Sequence, residues 1–299
     1  MKAILRNALK NRLIWKAVEK PFKMLQTFYQ FLEKSRNWTP ELAEFWERHQ
    51  QKKSVEKKKQ CTRDEEFVKK WNPMVPENMV RNGPFSGMIY NPPYSICSSF
   101  YPKLFGTYEK ELWGIMNYVC KQIYSSIIVV GCAEGYYAVG LAIKHPIAKV
   151  YAYDTDQVAL NFCEEMAKTN RVNIHLSGFC EQETILQLEL GPRAFIILDC
   201  EGYEAELINK DFVSQLASHD FLIEVHEMKL NVGLLDELIK AFDGTHEVEV
   251  IKTVADIDKV REYKFPELEV FDHLDRLKIL AEERPSPMRW IFAKSLENF

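Results

Sequence analysis

Two short apolar runs in this chain end in side chains able to move protons. Phe195-Ile196-Ile197-Leu198 is followed by Asp199-Cys200-Glu201-Gly202-Tyr203-Glu204. Phe221-Leu222-Ile223 is followed by Glu224-Val225-His226-Glu227. In an extended strand alternate side chains share a face, so Glu224 and His226 belong together. An imidazole titrates near neutrality and can take the proton of a hydroxyl as that hydroxyl attacks. Asp199 or Glu224 can fill the same role, so catalytic candidates are His226, Asp199 and Glu224. The same three offer hard donors suited to Mg²⁺, which would orient and acidify a diol. The structural alternative makes Glu201 and Glu204 part of the following helix, with His226 a satisfied polar residue at a strand end.

A third run, Ile127-Ile128-Val129-Val130, leads into Gly131-Cys132-Ala133-Glu134-Gly135-Tyr136-Tyr137. A buried strand, a glycine turn and a helix start in that order form the ligand-binding corner of a doubly wound sheet. The spacing is G-x-x-x-G, whereas the G-x-G-x-x-G form sets a helix N-terminus against a pyrophosphate. Glu134 inside the loop would repel a pyrophosphate and suits an ammonium. The expected cofactor is therefore S-adenosyl-L-methionine rather than a dinucleotide, with Gly131, Cys132, Ala133, Glu134, Gly135 and Tyr136 around its amino-acid end. Asp154, with Thr155 beside it, closes the next run at the spacing of an acid that holds ribose hydroxyls. Gly178 and Phe179 follow the third run and are expected near the adenine. Asp199 would face the cofactor from the fourth.

Those corners need a parallel sheet. Strands are expected at Ile127–Val130, Val150–Tyr153, Val172–Leu176, Ala194–Leu198, Phe221–Val225, Glu247–Ile251 and Trp290–Ala293, with helices near 136–145, 156–169, 181–189, 203–217 and 231–241 between them. The fold class is α/β, a doubly wound, mostly parallel seven-stranded sheet. A charged insertion, 253–287, separates the last two strands. Upstream lie a helical region (1–75) with amphipathic spacing over 1–36 and a second helix from Thr39-Pro40-Glu41, then a connector and helix (76–124). The domain that binds the cofactor is 125–299.

The chain has 299 residues, 46% hydrophobic and 27% charged, with net charge −4. This is ordinary globular composition, and the charge does not suggest a nucleic-acid binder as a whole. Charge is uneven: over residues 1–70 basic groups outnumber acidic ones roughly two to one, with a run at Lys57-Lys58-Lys59. A solvated helix face accounts for it; a membrane surface or a protein partner is the functional alternative. The seven cysteines have no C-x-x-C pair, and Met1–Leu13 is interrupted by Lys2, Arg6, Lys10 and Arg12. A cytoplasmic protein with free thiols is expected.

Together the segments Val130–Tyr137, Leu198–Glu204 and Ile223–His226 resemble the FkbM family of class I methyltransferases. The likeness extends to Lys103–Leu112 and spans about 83–252. It implies methylation of a hydroxyl on a sugar, glycan or related natural product, with Glu109 or Glu111 closing over the cofactor. Cys132 departs from the family pattern and removes one polar contact. Asn91-Pro92-Pro93-Tyr94 matches the N-P-P-Y of adenine-N6 methyltransferases, but it precedes the glycine loop, and a Pro-rich turn explains it. Two alternatives stand beside the leading reading: a nucleic-acid methyltransferase, and a scaffold that kept the fold without catalysis.

Overall fold

The computed structural model describes residues 65–227, 233–284 and 288–297. The expectations for helices over 1–36 and from Thr39, and for the basic run at Lys57–Lys59, lie outside them. Seven strands build one sheet: β1 (Ser126–Val130), β2 (Lys149–Tyr153), β3 (His175–Ser177), β4 (Ala194–Leu198), β5 (Asp220–Val225), β6 (His246–Lys252) and β7 (Arg289–Ser295). Their order is β3-β2-β1-β4-β5-β7-β6. β1 to β5 run parallel, while β7 pairs antiparallel with both β5 and β6. This is the doubly wound, mostly parallel seven-stranded sheet expected from the sequence. Strand order reverses between β1 and β4, and the crevice at their carboxyl ends is where such sheets bind ligands.

The helices are α1 (Phe100–Phe105), α2 (Trp113–Val119), α3 (Tyr136–Lys144), α4 (Gln157–Asn170), α5 (Gln182–Leu186), α6 (Glu204–Leu207), α7 (Lys210–Gln215), α8 (Leu234–Ala241), α9 (Asp256–Glu262) and α10 (His273–Leu280). Alternation splits the core in two. Ile127, Val129, Phe195 and Ile197 pack with Leu141, Cys163 and Met166 of α3 and α4. Ile128, Val130, Ile196 and Leu198 pack with Ile185, Phe212 and Leu238 on the other face. β1 and β4 are buried throughout, as central parallel strands must be.

Several boundaries differ from expectation for identifiable reasons. The compact unit begins at Phe67 rather than at 76, because Phe67, Trp71 and Val75 are buried in the same core as the sheet helices. The helix expected over 203–217 is broken: Ile208 is extended, and Asn209 accepts from Phe212 N at 2.9 Å to start a new helix. The helix expected within 76–124 is held back by Glu109, whose φ of 49° is left-handed; a 3₁₀ turn over Lys110–Leu112 precedes α2. The third strand is shorter and later than expected. It is an edge strand that pairs only with β2 and carries mostly exposed side chains. The 253–287 insertion supplies α9 and α10, and Val260, Ile279 and Leu280 join the core on the α3–α4 face.

Candidate active site

The glycine loop sits where β1 meets β4. Asp199 N donates to Val130 O at 2.9 Å, and Gly131 N donates to Tyr153 O at 2.9 Å. Gly131 has φ +79°, and a Cβ there would lie 1.6 Å from the Asp199 carbonyl oxygen. The glycine is therefore demanded by the neighbouring chain, not by a ligand. Gly135 has φ +98°, and a Cβ there would meet Cys163 Sγ at 2.6 Å.

In front of this loop lies a cavity of about 290 Å³, lined among others by Gly131, Cys132, Ala133, Tyr136, Asp154 and Thr155. Gly178 and Phe179 line it as well, as do Asp199 and Glu201. Asp154 ties the loops together: Oδ2 accepts from Ala133 N and Oδ1 from Asp156 N, both at 2.8 Å. A carboxylate has roughly four lone-pair positions, so acceptor capacity remains for ribose hydroxyls. Asp156 caps α4 through Val158 N. Phe179 is 55% exposed, and its ring lies 5.3 Å from that of Tyr203, which also lines the cavity. The Cys132 thiol is pushed well up by its hydrogen bond with Cys163 and by burial. It is a neutral wall, not a nucleophile. Cys97, Cys120, Cys132, Cys163, Cys180 and Cys200 are all free.

Three expected contacts fall outside the lining: Gly135, which packs against Cys163, Glu134 and Glu111. Glu134 does not line the cavity. Its carboxylate is fully buried and saturated: Oε1 accepts from Tyr90 Oη at 2.5 Å, from Ser95 Oγ at 2.8 Å and from Lys103 Nζ, and Oε2 accepts from Ile96 N at 3.1 Å. Burial would raise its pKa, but the Lys103 ammonium and the other donors outweigh burial and hold it below the ordinary carboxylate range. Glu111 also lies away from the cavity lining. Both its oxygens are buried without a hydrogen-bond partner, and burial, reinforced by Glu282, pushes its pKa up. Glu109 does not line the cavity either; it is buried, accepts from Tyr137 Oη and pairs with Arg284.

The β4–β5 register aligns Leu198 with Ile223, so the acids that follow each meet side by side. Asp199, Glu224 and His226 each present one donor atom, all within 4.8 Å of one another. His226 Nε2 lies 3.4 Å from Glu224, 3.6 Å from Glu201 and 3.7 Å from Asp199. Its Nδ1 is 2.8 Å from Glu204 Oε1, an oxygen that also accepts from Cys200 N at 3.1 Å. Burial opposes charge on the imidazole, but Glu204, then Glu224 and Glu201, outweigh it, and the pKa is raised. Asp199 is pushed well up by burial and by Glu224.

Arg284, from the insertion, completes the cluster. Its guanidinium binds Glu224, Glu109 and, at 2.9 Å, Glu282, which also pairs with Lys259 at 2.5 Å. Positive charge on Glu224 thus comes from Arg284. Arg284 thus offsets part of the negative charge that the set concentrates. Arg284, Glu204 and Lys103 were not legible as site residues. Arg284 lies 175 residues from Glu109 in sequence, inside a stretch that reads only as charged. Asn91 Nδ2 bonds Thr169 Oγ1 at 3.0 Å, so the N-P-P-Y stretch is a turn packed on α4 that delivers Ser95 and Ile96 to Glu134.

No family model and no curated protein matches this chain. Solved structures do. A precorrin-6y C5,15-methyltransferase from Geobacter metallireducens GS-15 is 14% identical over 67% of this chain and 98% of its own, with TM-score 0.42. A precorrin 8w decarboxylase from Methanobacterium thermoautotrophicum is 14% identical over 62% and 89%, with TM-score 0.42. A tRNA (uracil-54, C5)-methyltransferase from Pyrococcus abyssi, in complex with S-adenosyl-L-homocysteine, is 11% identical over 66% and 39%, with TM-score 0.39. Among the described residues no helix is long and apolar enough to cross a membrane.

Proposed function

We propose that this chain is an S-adenosyl-L-methionine-dependent methyltransferase that acts on a hydroxyl of a sugar, glycan or related polyol. The observation that carries it is a single cavity at the β1/β4 switch point, bounded by the Gly131 loop and Asp154 at one side and by Asp199 and Glu201, backed by His226, at the other. Asp154 would hold the ribose, and Phe179 and Tyr203 the adenine. When bound, the cofactor supplies an electrophilic methyl group. The chain supplies alignment, exclusion of water and a place for the acceptor's proton. Glu204 accepts from Nδ1–H of His226, which fixes the tautomer and leaves Nε2 to take that proton. The excess of carboxylates offers hydrogen-bond acceptors to hydroxyls and repels phosphates, which favours a polyol over nucleic acid. The free thiols suit a reducing compartment.

Calorimetry with S-adenosylhomocysteine and, separately, NAD tests the reading. Micromolar binding of the first and none of the second is expected. Silence at millimolar S-adenosylhomocysteine, or preference for NAD, would sink it. Transfer of labelled methyl from the cofactor to glycan fractions, against RNA and DNA, then tests the acceptor class.

A further inference from the structure

We propose that Lys103, braced by Glu134, binds the carboxylate of the cofactor's amino-acid moiety, so that the acid in the glycine loop acts through a lysine and never touches the ligand. The proposal rests on the methyltransferase reading and deepens it. Among the described residues lining the cavity, Lys103 is the one cation; the charged groups beside it are Asp154, Asp156, Asp199 and Glu201. The acids suit a ligand that carries an ammonium and a sulfonium. They repel its one anionic group, which must find a donor.

Lys103 is placed to be that donor. It is 3% exposed, and Nζ donates to Ser98 Oγ at 2.7 Å and to Glu134. An ammonium has three donors, so one is left after these two. Its stem and head lie against Tyr108 and Tyr136, with Nζ 4.8 Å and 5.7 Å from the ring centroids, and both rings line the cavity. The charge of Glu134 is spread over Tyr90, Ser95 and the Ile96 N–H, so the lysine is held in place without being fully neutralised. A buried ion pair whose remaining lone pairs are all satisfied is rigid, and a rigid donor costs little to reuse on a ligand.

The test compares ligands on the unaltered protein first. S-Adenosylhomocysteine should bind at least about tenfold more tightly than its carboxamide analogue, the size of one charge-assisted hydrogen bond. Lys103→Gln should then lose at least about tenfold on S-adenosylhomocysteine while its affinity for 5′-methylthioadenosine, which lacks the amino-acid moiety, stays within twofold. Equal affinity of the unaltered protein for acid and carboxamide overturns the proposal without any variant. Equal losses on both nucleosides in a folded Lys103→Gln protein overturn it too. If the unaltered protein binds 5′-methylthioadenosine and S-adenosylhomocysteine yet ignores the carboxylate, only this inference falls. If it binds neither nucleoside, the methyltransferase reading falls with it.

Discussion

His226 shows how one hydrogen bond sets a side chain's chemistry. Its Nδ1 is held by Glu204 at 2.8 Å, and Glu204 is itself fixed by Cys200 N. The imidazole should titrate above 6.5, and a pH titration of its ring carbons by NMR checks this. Glu204→Gln removes the charge that raises it, so the midpoint should fall. A midpoint unmoved by that change would remove Glu204 as the positioning residue. In turnover, the rise of kcat with pH should follow the same midpoint. Glu134 makes the complementary case. Glu134→Ala strands a buried ammonium and should cost about 3–5 kcal/mol in urea unfolding, whereas Tyr90→Phe removes one donor to a carboxylate and should cost about 1.5–3 kcal/mol. Residue types and spacing marked Asp154, Asp199, Glu224 and His226 as candidates, since each sits at a strand end. They misplaced Glu134, because Lys103, 31 residues earlier, is folded against it by a turn whose packing on α4 no local pattern encodes.

Elements position these groups through contacts that the apolar pattern only partly announces. β1 and β4 were legible as uninterrupted apolar runs because each strand feeds two cores at once. Loop lengths, caps and the break at Asn209 were less legible, because they turn on single hydrogen bonds. Gly131 tests the β1–β4 junction. Gly131→Ala would drive a Cβ to 1.6 Å from the Asp199 carbonyl at a φ of +79°, so the loop must move and Asp199 with it. Loss of nucleoside binding in a protein that still folds is expected; wild-type affinity would show that the junction tolerates displacement. Arg284 tests the insertion. It joins Glu109, which precedes α2, to Glu224 of β5 and to Glu282 beyond α10. Arg284→Met leaves three buried acids with one fewer cation and should cost about 3–5 kcal/mol. It should also raise amide exchange in α9 and α10 more than in β1 or β4. Uniform exchange across the fold would deny the arginine its role as the insertion's clasp.

The whole molecule folds around acids whose protonation differs from that of the unfolded chain, and this fixes how its stability responds to pH. Glu109 is pushed up to about 8 by burial, opposed by Arg284 and reinforced by Glu224 and Glu282. Asp199 is raised by burial and Glu224, and His226 is raised by Glu204. In the unfolded chain the two acids release their protons near pH 4 and the imidazole near 6.5. Above those values the folded protein therefore holds protons that the unfolded chain has lost. Each such proton lowers stability by about 1.4 kcal/mol per pH unit as pH rises, until the folded group also titrates. Glu134 and Glu204 act at the other end, since both are held below the ordinary range and their contribution is lost as pH falls through their folded values. Stability should thus peak in mild acid, with Tm at pH 5.5 at least about 5 °C above that at pH 8.5. Glu109→Gln mimics the protonated acid at every pH and should flatten the alkaline limb while leaving the acid limb in place. A profile that rises from pH 5.5 to 8.5, or an alkaline limb unchanged in that variant, would mean that Glu109 is ionised in the fold and that Arg284 outweighs its burial.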